Sequence, residues 1–100
     1  MSVLVSIVLE EKSRIEKMIS SYEQEVGTLI KGSLVCKKVK SKVYYYLQFR
    51  EGKKTVSSYV GSDATKVEEL REQINRRRHI EAMLKGLRTE YAQAIKLIGG

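Results

Sequence analysis

Three consecutive tyrosines, Tyr44-Tyr45-Tyr46, stand inside the most basic stretch of the chain, and that combination of residue types has a definite chemistry. Tyrosine rings stack on unpaired bases, while lysine and arginine neutralise phosphates and release their counterions. From Lys31 to Lys54 the bases are Lys31, Lys37, Lys38, Lys40, Lys42, Arg50, Lys53 and Lys54, against the single acid Glu51. This stretch carries +7, the formal charge of the whole chain, because the −2 of the residues before it cancels the +2 of those after it. A basic field concentrated on one element and interleaved with aromatics implies an anionic partner, nucleic acid first.

Other chemistries find less support. His79 is the only histidine and Cys36 the only cysteine, so no zinc ligand set exists. There is no phosphate-binding glycine loop, and no Ser/His/Asp or Cys/His arrangement. A histidine-free ribonuclease could draw on Tyr46, Arg50, Glu51 and Lys53, but nothing in their spacing demands it. The expectation is a protein that is not an enzyme and needs no cofactor or metal. Arg76-Arg77-Arg78 forms a secondary basic patch, whose three consecutive side chains cannot all face one ligand on a helix. A solvated or partner-facing turn is the expected role there.

The elements that must position the tyrosines follow from periodicity. Apolar residues at Val8, Ile15, Ile19, Tyr22, Val26 and Leu29 predict a first helix within 1–30, which Gly27 and Lys31-Gly32 should stop between Val26 and Lys31. Val67, Leu70 and Ile74, then Ile80, Leu84, Leu87, Tyr91, Ala94 and Ile98, predict a longer helix within 62–100. The phase of this second seam slips around Arg76-Arg77-Arg78, which predicts a bend or a change of packing partner. Thr65 with Glu68 reads as a capping box, and Ser62 or Asp63 could cap instead. Between the helices, 31–61 alternates with period two across three strands, Ser33 to Val39, Val43 to Arg50 and Thr55 to Val60. Their short joints predict an antiparallel meander. The fold expected is α+β in a single domain of 100 residues: long helix, three-stranded meander, longer helix, with the helices as an antiparallel coiled-coil-like pair.

Alternation then sorts the middle strand. Val43, Tyr45, Leu47 and Phe49 are apolar enough to lie on the helices, leaving Tyr44, Tyr46, Gln48 and Arg50 on the other face, joined by Tyr59. With Lys37, Lys38, Lys40, Lys42, Lys53 and Lys54 around it, this face is the expected nucleic-acid-binding site. Two plainer roles compete: lysines that block edge-to-edge pairing of the sheet, and tyrosines that merely pack on one another.

The run Lys31-Gly32-Ser33-Leu34, then Tyr44-Tyr45-Tyr46-Leu47-Gln48-Phe49-Arg50-Glu51-Gly52-Lys53-Lys54, then Tyr59-Val60-Gly61, resembles a family of short uncharacterised bacterial and mobile-element proteins. Some of those relatives carry a cysteine-rich loop before the tyrosine run, where this chain has Cys36 alone, so the resemblance brings no metal site with it. The hairpin around Phe49-Arg50-Glu51-Gly52-Lys53 is also similar to the three-stranded sheets with which some phage-type integrases grip DNA, which implies DNA as the partner.

The function expected is therefore non-enzymatic nucleic-acid binding, to DNA or RNA, through the basic tyrosine face. The alternative is a small protein-interaction module: an adaptor, an antitoxin, or a mobile-element or phage inhibitor of a host nuclease, such as an anti-CRISPR. The apolar start, Val3 to Leu9, is too short to span a membrane and lacks the basic flank of a secretory signal. It is expected to be buried or to meet a second copy in a homodimer, and a lone cysteine fits a cytoplasmic location.

Overall fold

A computed structural model describes residues 3–99. Helix α1 spans Val3–Val26, strands β1, β2 and β3 span Ser33–Val39, Lys42–Glu51 and Lys54–Gly61, and helix α2 spans Ala64–Leu97. The sheet is antiparallel with strand order β1-β2-β3, so the architecture is α+β with the helices flanking a meander. Among the described residues, no helix is long and apolar enough to cross a membrane.

Local chemistry explains where each element stops. After α1, the Thr28 hydroxyl donates to the Glu25 carbonyl at 2.7 Å, satisfying one of the acceptors that a helix C-terminus leaves open. Both hairpins turn in two residues, Lys40-Ser41 and Gly52-Lys53. The first turn residue has positive φ in each, 56° at Lys40 and 64° at Gly52. Positive φ at that position matches the right-handed twist of the strands; glycine meets it without strain and lysine does not. Asp63 caps α2: its Oδ1 accepts from the amides of Thr65 at 2.9 Å and Lys66 at 3.3 Å. The cap is thus the Asp63 alternative and not the Thr65–Glu68 box, because the chain already turns helical at Ala64.

Residues divide into two compact units, and α2 contributes to both. One unit contains residues 3–28 and 79–99, the other Leu29–Arg78. The boundary falls where the α2 seam slips, so the slip marks a change of packing partner within one uninterrupted helix.

In the helical unit, α1 and the later part of α2 run antiparallel. Glu23 pairs with Arg88 at 2.9 Å, the Tyr91 hydroxyl donates to Glu16 at 3.2 Å, and Ile7 and Val8 line one cleft with Ala94 and Leu97. Ile15 is 1% exposed and Ile80 fully covered; Leu84, Leu87 and Ala94 complete the buried seam. Full burial of an isoleucine or leucine side chain contributes roughly 1.5–3 kcal/mol. Along α1, Lys12 pairs with Glu16 at 2.7 Å and Arg14 with Glu11. The hydrogen bond from Arg14 holds the Glu11 carboxyl below the usual carboxylate range, and those from Lys12 and then Tyr91 do the same for Glu16. Val3, Leu4 and Ile7 are exposed, Val3 at 77%, and so is Leu97 of α2 at 74%. The apolar start of the chain is therefore not buried within the described residues.

In the sheet unit, the buried apolar residues are Val67 and Ile74 of α2. Val43, Tyr45, Leu47 and Phe49 do not become core: the last three are half-buried and Val43 is exposed. The reason is dimensional. Residues 64–78 make about four helical turns, ~22 Å long and ~10 Å wide, whereas the sheet, with strands of 7, 10 and 8 residues, is ~14 Å wide and ~23–33 Å long.

Candidate nucleic-acid interface

Strand register decides which side chains share a face, since residues paired across an antiparallel ladder point the same way. Tyr46 pairs with Tyr59, Gln48 with Ser57 and Arg50 with Thr55; on the other side Tyr44 pairs with Lys37, Tyr46 with Val35 and Gln48 with Ser33. One face thus carries Lys37 from β1, Lys42, Tyr44, Tyr46, Gln48 and Arg50 from β2, and Tyr59 from β3. The opposite face carries Leu34, Val43, Tyr45, Leu47, Phe49 and Val56, and also the only acid of the stretch, Glu51.

Among the described residues, the strands therefore place no carboxylate on the tyrosine face. Its charges are Lys37, Lys42 and Arg50, with Lys40 and Lys53 on the two turns at its rim. Lys38 and Lys54 fall on the opposite side, opposite Val43 and Glu51, so the expected cluster is not brought together in full.

Ring geometry within the face is specific. Tyr46 meets Tyr59 edge-to-face with centroids 5.4 Å apart, and Tyr44 lies tilted by 42° at 6.3 Å from Tyr59. Both are separations at which aromatic quadrupoles attract. The Lys37 ammonium sits 4.8 Å from the Tyr46 ring centre, a cation–π contact worth about 0.5–1 kcal/mol at an exposed site. Tyr44 and Tyr46 are half-buried, whereas Tyr59 is 60% exposed, so Tyr59 is the most exposed of the three tyrosines.

A β-bulge between β2 and β3 sets that arrangement. Tyr46 pairs with Tyr59 but Tyr45 pairs with Gly61, leaving Val60 as an extra residue. A bulge of this kind bends the strand and re-aims nearby side chains. Gly61 is buried with φ 110°, a conformation that side chains rarely adopt.

Of the arginine cluster, Arg77 and Arg78 serve the loop that leads into the sheet. Arg77 Nη1 donates to the Leu29 carbonyl at 2.7 Å, and Arg78 Nη2 to Ser33 Oγ at 2.9 Å and, more weakly, to the Gly32 carbonyl at 3.4 Å. Gln73 Oε1 accepts from the Ile30 amide at 3.4 Å. Arg76 is exposed. These side chains hold the entry to β1, and so place the face indirectly. Sequence reasoning missed the clamp, and it missed Lys37 as a ring partner, although two-residue turns alone would have put Lys37 opposite Tyr44.

Among the described residues no cluster of three or more His, Cys, Asp or Glu could hold a metal ion. Cys36 is exposed and unbridged. No curated protein and no solved structure matches the chain. Residues 8–72 match the family described as a domain of unknown function (DUF6788), and they take in most of α1, the whole sheet with its tyrosine face, and the start of α2. The chain belongs to the DUF6788 family.

Proposed function

We propose that the protein binds nucleic acid through the tyrosine face of its sheet, without catalysing a reaction. The observation that carries this reading is the segregation of charge: Lys37, Lys42 and Arg50 share a face with three tyrosines and Gln48, while the stretch's one carboxylate lies on the other side. Blocking of sheet edges would need cations on β1 and β3 alone, yet Lys42 and Arg50 stand on the central strand. The lysines and Arg50 supply affinity through phosphates, Tyr59 offers a stacking surface, and Gln48 and Arg50 have donors suited to base edges. Tyr44 and Tyr46, locked against Tyr59 and Lys37, act as the floor that keeps the face rigid.

Binding of labelled single-stranded and duplex DNA and RNA, compared for wild type, Tyr59→Ala and Lys42→Glu, tests the proposal. Charge reversal at Lys42 should weaken every ligand, and Tyr59→Ala should weaken single strands most, by about 1–3 kcal/mol. Equal binding by all three proteins would refute it.

The exposed apolar residues Val3, Leu4, Ile7 and Leu97 of the helical unit favour a second reading, in which that unit meets another protein or a second copy. The two readings concern different surfaces and predict different defects. A Leu4→Ser/Leu97→Ser variant should change the solution mass under the second and leave nucleic-acid affinity per protomer unaltered under the first.

A further inference from the structure

A cleft in the sheet unit, away from the tyrosine rings, has the chemistry of an anion site. It is lined by Ser33 and Leu34 at the start of β1 and by Arg71, Ile74, Asn75 and Arg78 of α2, with a volume of about 130 Å³. Room for roughly four waters at ~30 Å³ each is room for one tetrahedral oxyanion. Arg71, Asn75 and Arg78 recur at spacings of four and three, so they stand on one stripe of the helix. Leu34 and Ile74 form its apolar side, and Arg71, Asn75 and Arg78 its exposed polar side.

We infer that this cleft binds a phosphate group between Arg71 and Arg78, with Asn75 and Ser33 as neutral hydrogen-bonding partners. Donor accounting supports it. Arg71 contacts Glu68 through Nε only, at 3.5 Å, and Arg78 bonds Gly32 and Ser33 through Nη2 only. Both guanidinium groups thus retain donors, and planar guanidinium donors match phosphate oxygens. The bond to Ser33 Oγ at 2.9 Å holds Arg78 in place before any ligand arrives. None of the lining residues is acidic. The site stands on its own geometry and does not require the sheet reading, though it adjoins the tyrosine face through the Ser33–Gln48 pair.

The test follows the arginine Nε–Hε resonances of the full chain by NMR during titration with inorganic phosphate, against chloride at matched ionic strength. Signals of Arg71 and Arg78 should shift together and saturate with Kd on the order of 1–10 mM, the range of a single small anion site. Arg71→Gln, and Asn75→Asp, which adds a carboxylate to the cleft, should each weaken binding at least tenfold while leaving far-UV dichroism unchanged; Arg78 is kept because it also holds the loop. A short single-stranded oligonucleotide that moves the same two signals identifies backbone phosphate as the source, and response to inorganic phosphate alone identifies a free phosphate ligand. Shifts that do not saturate, that chloride reproduces, or that persist in both variants overturn the inference. Tyr59→Ala should leave the phosphate response intact, so failure of the sheet reading is separable from failure of this one.

Discussion

Replacing Arg77 with methionine tests whether the arginine cluster of α2 is a structural clamp. The substitution keeps most of the apolar stem, which long basic side chains lay along neighbouring surface, and removes the guanidinium. The loss includes the 2.7 Å bond from Nη1 to the Leu29 carbonyl, part-buried and spanning 48 residues of sequence. A hydrogen bond from a charged donor contributes about 1.5–3 kcal/mol, and here its loss also leaves a partly covered carbonyl without its donor. Each kcal/mol shifts Tm by about 4–8 °C in a domain of this size, so the expected drop is roughly 6–24 °C. Urea unfolding followed by far-UV dichroism measures the same quantity as a change in midpoint at constant m value. Lys85→Met, at an exposed position of the same helix, should stay within about 0.5 kcal/mol of wild type. If Arg77→Met costs no more than Lys85→Met, the clamp is not a stabilising feature and the cluster's role must be sought at the surface.

Other consequences are smaller or more local. Lys40→Gly should stabilise the protein by about 0.5–1 kcal/mol in thermal unfolding, since a φ of 56° strains lysine more than glycine's added chain entropy costs. Gly32→Ala should do the reverse, by more than about 2 kcal/mol, because a Cβ there would lie 2.5 Å from the Gln48 carbonyl oxygen at a φ of 141°. Ile80→Ala, at a fully covered position, should cost about 2–5 kcal/mol. Glu11 and Glu16 have folded pKa values below their unfolded ones, so their contribution is present at neutral pH and is lost as pH falls through and below the ordinary carboxylate range. Helicity of α1, read by dichroism over an acid titration, should decline there, and Glu16→Gln should flatten the decline.

What the sequence made legible was what depends on local period. Two-residue alternation in Lys42–Glu51 separated Tyr44, Tyr46, Gln48 and Arg50 from Tyr45, Leu47 and Phe49, and the ladder keeps that division. The seam slip near Arg76-Arg77-Arg78, read as a bend or a change of packing partner, falls at the boundary between the two compact units. What stayed hidden depends on distant partners. Gln73, Arg77 and Arg78 reach back 43 to 48 residues to the loop before β1, and no local pattern distinguishes a clamping arginine from a solvated one. Partial burial of Leu47 and Phe49 was hidden for a similar reason: alternation reports which residues share a face and says nothing of how much helix is available to cover it. Val60 reads as an ordinary alternating residue, and only the paired register reveals it as the extra residue of a bulge.

The salt dependence of oligonucleotide binding tests the central claim most directly. Lys37, Lys42 and Arg50 on the face and Lys40 and Lys53 on its turns could engage about five phosphates, giving a slope of log affinity against log salt of about −3.5 for single strands and −4.5 for duplex. A Lys42→Glu/Arg50→Glu variant removes two of those contacts, and its slope should fall to about −2 to −3 with weaker binding at every salt concentration. A wild-type slope near zero, or a variant with an unchanged slope and affinity, would contradict the assignment of the tyrosine face as a nucleic-acid surface.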